Sequence, residues 1–227
     1  MSSPPRWMPT RRPRWRRTAL RCRRCGGASL AEPGKAWLLV CALLAKLSLL
    51  VWLIAPAAAL DWQVGRIAAE PWRMLTAALV HLSLLHLAAN LSGCAVLALL
   101  GWRAALPATA AWAWLLAWPL TQVGLLLRPE LSRYAGLSGV LHAGVAIAAL
   151  LLATRTGRER WIGLGIAVGL GLKLALEAPL GPVLRQVPGF DFPVAPFAHL
   201  SGAVAGVLAW RLTMRGFERS PRSPHGT

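Results

Sequence analysis

Six runs of apolar residues fill most of this chain, at 36–59, 74–100, 108–127, 134–153, 161–180 and 198–214. Each can cross the hydrocarbon core of a bilayer as a helix, which takes about 20 residues. Lipid offers a backbone no hydrogen-bond partner, so a span must satisfy its own N–H and C=O groups, and a helix does so. The spacing predicts an all-α, polytopic membrane protein with six transmembrane helices packed as a bundle. The chain is 56% hydrophobic and its mean hydropathy is +0.51. A soluble domain of 227 residues could not hide that much apolar surface.

Lys and Arg number 25 against eight acids, for a formal charge of +17. An excess of that size raises nucleic acid as a partner. The bases, however, gather at the two ends and between the apolar runs, as charges do when they hold helix ends on the cytoplasmic side. No nucleic-acid binding is expected. Residues 1–35 carry nine arginines before position 25. They are too polar to fold alone and read as a disordered cytoplasmic leader on anionic lipid. Residues 36–214 form the membrane domain, and 215–227 a short basic tail that also meets anionic lipid. Cys22 and Cys25 are half a zinc site with no second pair, while Cys41 and Cys94 read as small apolar residues. No metal and no cofactor are expected.

Six spans return both termini to one side. The leader, Arg103, the turn with Arg155, Arg158 and Arg160, and the tail all fall there, and the opposite loops hold most of the acids. The positive-inside bias puts both termini in the cytoplasm. Spans two, four and six then all begin at the outer face. Their polar residues sit at a similar depth: His86 and Asn90, Ser138, and His199. Trp62 and Trp72, in the loop 61–73, read as interface anchors.

At 100° per residue, His86 and Asn90 lie about 40° apart on one face, with His81 about 140° round from His86. His81 is expected to meet a different neighbour, as a structural histidine. Ser138, flanked by Gly136 and Gly139, opens span four, with His142 one turn on. Lys173 and Glu177, one turn apart, are expected to pair with each other. Gly202 and Gly206 fall about 60° and 20° from His199, so that face can press against another helix.

A serine needs a base to take its proton, and a histidine on a close neighbouring helix can supply it. No Asp lies at an obvious spacing to orient His199, so a Ser138–His199 dyad is expected rather than a triad. The oxyanion formed on amide attack needs donors. His86, Asn90 and the backbone N–H of Ser138 can provide them.

These residues carry a resemblance. Glu70-Pro71-Trp72-Arg73, the HxxxxHxxxN pattern of His81, His86 and Asn90, the GxSG of Gly136 to Gly139, and the AHxxGxxxG of Ala198, His199, Gly202 and Gly206 occur in the order found in rhomboid intramembrane serine proteases. The resemblance implies a rhomboid-like six-helix bundle, Ser138 as nucleophile, His199 as general base and acid, and His86 and Asn90 at the oxyanion. His81, Trp72 and Arg73 would be structural. Within that family the chain is most similar to the rhombosortases, which bear GLSGVLH around the serine and a Lys and Glu late in the fifth span, here Lys173 and Glu177. Most other rhomboids have an aromatic ring where His142 stands. The resemblance implies a bacterial inner-membrane serine endopeptidase whose site opens to the periplasm. Its partners would be exported, membrane-anchored proteins ending in a Gly-Gly motif, a transmembrane helix and basic residues (GlyGly-CTERM). Two rival readings are a general rhomboid protease cutting other transmembrane substrates and a non-catalytic rhomboid-like protein that binds membrane clients. A transporter would show internal repeats and broken paired helices, and neither is present in the sequence.

Overall fold

A computed structural model describes residues 32–218, with side chains for 32–213. The leader with Cys22 and Cys25, and the tail beyond 218, lie outside the described residues, as do the lipid contacts expected there. The chain runs as α1 (Lys35–Ile54), α2 (Ala57–Leu60), β1 (Trp62–Gln63), α3 (Arg73–Thr76), α4 (Leu84–Arg103), α5 (Ala108–Gly124), β2 (Arg133–Tyr134), α6 (Ser138–Ala153), α7 (Arg158–Glu177), β3 (Arg185–Gln186), β4 (Pro193–Val194) and α8 (Pro196–Glu218). Six of these helices are long. Three stretches, Lys35–Ile54, Leu84–Arg103 and Ala108–Leu127, are both long and apolar enough to cross a membrane, and α6 is a shorter apolar helix.

The helices begin and end where local chemistry dictates. Ser83 caps α4, its hydroxyl accepting from the His86 N–H at 3.0 Å, so the second long helix begins ten residues later than the expected 74. α6 starts at Ser138 and not at 134, because Arg133–Tyr134 pair as β2 with Trp62–Gln63. α7 ends at Glu177, where Ala178 turns into the left-handed region at φ 47 and closes the helix.

Apolar burial drives no association between helices inside lipid, where the tails are as apolar as the side chains; close packing and hydrogen bonds do that work. Both are visible. α8 packs along α5 and α6, α7 along α6, and α1 along α4. A Cβ on Gly202 would lie 1.8 Å from the Gly139 carbonyl oxygen, and one on Gly206 would lie 2.5 Å from that of Ala143. The expected close face of the last helix is therefore the α6–α8 crossing. The indoles of Trp37 and Trp114 stack at 4.5 Å and donate to Leu97 O at 2.8 Å and Val140 O at 2.7 Å. They tie α1 to α4 and α5 to α6, each bond worth about 1 kcal/mol.

The segment between α1 and α4 is not the plain polar loop expected. Trp62 is fully buried there rather than anchored at an interface, and only Trp72 is exposed. The buried carboxylate of Asp61 holds the segment together. It receives Arg73 Nη1 at 3.2 Å and Arg133 at 2.8 and 2.6 Å, and Arg73 Nη1 also donates to the Asp61 backbone carbonyl at 2.8 Å. These bonds fasten the loop to β2, two residues before Gly136.

Candidate active site

The α6–α8 crossing brings Ser138 and His199 together. Gly139 follows Ser138 directly, and a Cβ there would meet the Ala198 carbonyl oxygen at 2.7 Å. The two backbones touch one residue from each functional side chain. His199 Nε2 and Ser138 Oγ are 2.9 Å apart, across sixty-one positions of sequence. The imidazole of His142 stacks on that of His199, and its Nδ1 donates to Ser138 O at 2.7 Å.

The backbone leading into Ser138 is fixed. Gly136 sits at φ 124, a conformation that L side chains rarely adopt. Its N–H donates to Ala77 O at 3.0 Å, and Tyr134 Oη donates to its carbonyl at 2.8 Å. The bare face of Gly136 is filled by His86, since a Cβ would lie 2.6 Å from His86 Nε2. His86 Nδ1 accepts from the Leu82 N–H at 3.2 Å. A backbone N–H can only donate, so in the neutral ring the proton is on Nε2, facing the Gly136–Ser138 turn. Asn90 Nδ2 donates one of its two N–H groups to His86 O at 3.0 Å.

His81 departs from the helical-wheel expectation. It precedes α4, so the 100° count does not apply, and its ring meets His86 edge to face at 4.9 Å. Its Nδ1 lies 3.0 Å from Leu79 O, while Nε2 has no partner among the described residues. Trp72 is half exposed, whereas Arg73 is buried in the Asp61 network. The Lys173–Glu177 ion pair forms as expected. The other carboxylate oxygen of Glu177 reaches further, lying 2.7 Å from His199 Nδ1. No Asp stands behind the histidine, but this Glu does.

Some neighbours have no signature in the sequence. The hairpin of β3 and β4 folds over the site, where Phe192 stacks on His86 with ring centroids 4.1 Å apart. Asp191 accepts from Ser83 Oγ at 2.6 Å. Apolar residues separated by prolines gave no hint of either contact. The result is a cavity of about 810 Å³ lined by His86, Asn90, Ser138, His142, Lys173, Glu177 and His199 among mostly apolar residues. Among the described residues, no group of three His, Cys, Asp or Glu side chains is placed to hold a metal ion. Cys41 and Cys94 are buried free thiols.

A multi-helix apolar body with a serine–histidine contact at a cavity defines a multi-pass membrane protein built around a polar site. The Rhomboid domain model matches residues 68–216, well over half the chain. This protein belongs to the rhomboid family, whose members are intramembrane serine proteases. No curated protein matches the chain.

Proposed function

We propose that this protein is an intramembrane serine endopeptidase in which Ser138 is the nucleophile and His199 the general base. The 2.9 Å contact between Ser138 Oγ and His199 Nε2 at the cavity carries the reading. His199 takes the hydroxyl proton as Ser138 attacks the scissile carbonyl, then gives it to the leaving amine. The oxyanion is met by the Nε2–H of His86, the Ser138 N–H at the first position of α6 and the free N–H of Asn90. His142 supports the base by stacking. All six long helices span the membrane in this reading, with both termini cytoplasmic and the cavity open to the periplasmic side of a bacterial inner membrane.

The substrate class we favour is the rhombosortase one: exported proteins ending in a Gly-Gly motif, a transmembrane helix and basic residues. The GLSGVLH sequence at Ser138 and the Lys173–Glu177 pair beside the site support it. The test is cleavage in membranes of a reporter with such a tail, beside a reporter with an unrelated transmembrane segment. The tail reporter should be cut and the other spared, and Ser138→Ala should abolish cleavage without loss of membrane insertion. Full proteolysis by purified Ser138→Ala would remove the nucleophile assignment. Equal cleavage of both reporters would leave a general rhomboid protease.

A further inference from the structure

Glu177 has no part in the steps above, yet its carboxylate is placed against the far side of the base. One oxygen lies 2.7 Å from His199 Nδ1 and the other takes the Lys173 ammonium. An ionised carboxylate can only accept. Nδ1 therefore carries the ring proton, and Nε2 turns its lone pair to the Ser138 hydroxyl. Glu177 is also fixed from behind. It is the last residue of α7, and Arg185 of β3 donates to its backbone carbonyl at 2.7 Å. Lys173 Nζ stands 3.5 Å from the same Nδ1, a cation beside a ring that must itself become cationic.

We propose that Glu177 is a positioning residue that completes a Ser138–His199–Glu177 triad, and that Lys173 holds the charge of the carboxylate in check. The inference rests on the protease reading of Ser138 and His199. In the step it serves, Ser138 Oγ bonds to the carbonyl carbon, its proton passes to His199 Nε2, and the C=O π pair moves onto oxygen. Collapse of the tetrahedral species re-forms C=O and breaks the C–N bond, and the departing amine takes the proton from Nε2. The Nδ1 proton stays on His199 throughout and Glu177 stays ionised. Glu177 fixes the tautomer and stabilises the imidazolium; Lys173 opposes that imidazolium.

The charged and titratable groups around His199 are few. His142 faces it from α6, and Lys173 and Glu177 from α7. His86, Tyr134 and the Asp61–Arg133 pair line the same cavity, with Asp191 on the hairpin beyond. α5, which packs along α8, carries Thr121 and Gln122 as buried polar residues, and neither titrates; Arg128, past its end, lies over the Phe197 ring.

The test uses the full chain in detergent micelles. It measures the rate at which a fluorophosphonate labels Ser138 across roughly pH 5 to 9, where an imidazole base titrates. Thermal melting is measured alongside. Glu177→Ala should slow labelling on the order of 10²- to 10⁴-fold. Glu177→Gln keeps an acceptor and nearly the same shape, and it should move the acid limb of the rate profile to lower pH by about one unit. Lys173→Met removes the opposing charge and should move that limb the other way. A merely structural Glu177 would change the melting temperature and leave the limb in place; that result, or a shift of both variants in one direction, overturns the inference. A parent chain that the probe does not label at all would instead remove the protease reading, and this inference with it.

Discussion

His142 and His199 lie face to face, ring centroids 4.2 Å apart and planes 12° from parallel. The stack is locked, because the Nδ1–H of His142 is committed to the carbonyl of Ser138 one turn back. His199 thus leans on a ring whose position is set by the backbone of Ser138. Aromatic pairs of this kind contribute about 0.5–1.5 kcal/mol, and about 1.4 kcal/mol is tenfold in rate. His142→Ala should therefore lower the rate of Ser138 labelling roughly two- to tenfold, and His142→Phe should recover most of it by restoring a flat face. Equal rates in the two variants would show that stacking does not support His199.

His86 should matter through one hydrogen atom. With Nδ1 occupied by the Leu82 N–H, only Nε2–H is free to donate toward the Ser138 turn. His86→Phe keeps a ring for Phe192 to stack on and deletes the donor. Loss of one oxyanion donor costs about 10²- to 10³-fold in kcat. Because the donor acts on the transition state, KM should change little. Reporter cleavage kinetics check this, and a variant that raised KM while sparing kcat would place His86 in substrate binding instead.

The α6–α8 crossing should tolerate no added carbon. Gly202→Ala would push a methyl to 1.8 Å from the Gly139 carbonyl oxygen. Overpacking of that kind costs about 1–3 kcal/mol, and relief by helix separation would draw Ser138 and His199 apart. Gly202→Ala should lower both the melting temperature and the labelling rate. Gly165→Ala on α7, where a Cβ meets nothing within 4 Å among the described residues, should leave both unchanged. A Gly202→Ala protein as stable and as reactive as the parent would show that the crossing is looser than this geometry.

How much of this is legible in the sequence follows from the range of each interaction. The apolar runs give the long helices within a few residues except at the second, because hydropathy has no mark for the Ser83 cap. The ion pair between Lys173 and Glu177 is visible as a spacing of four along one helix. The second contact of Glu177 is not visible, since it depends on how α7 and α8 lie on α6. Asp61 reads as an ordinary loop acid, for its partner Arg133 lies 72 residues away. Trp62 reads as an interface anchor for the same reason: the strand it pairs with, Arg133–Tyr134, and the cluster that buries it come from other parts of the chain. His86, Asn90, Ser138 and His199 stand out because polar groups at the mouths of apolar helices are conspicuous, and all four line one cavity.

Glu70 gives the loop a signature in pH. Its carboxylate pairs with Arg73 and Arg66, and the Arg73 hydrogen bond foremost holds the carboxyl below its usual range. A group whose pKa is lower folded than unfolded adds stability that is complete above the unfolded value, about 4.3 for Glu. That stability is lost as pH falls through the folded value. Glu70→Gln should therefore melt below the parent near neutral pH, and the two melting curves should converge as the solution is acidified past that range. Residue 70 is then neutral in either protein, and Arg73 keeps its bonds to Asp61 and Ala58. A gap between the two that stays constant down to strong acid would show that Glu70 acts through packing rather than through its charge.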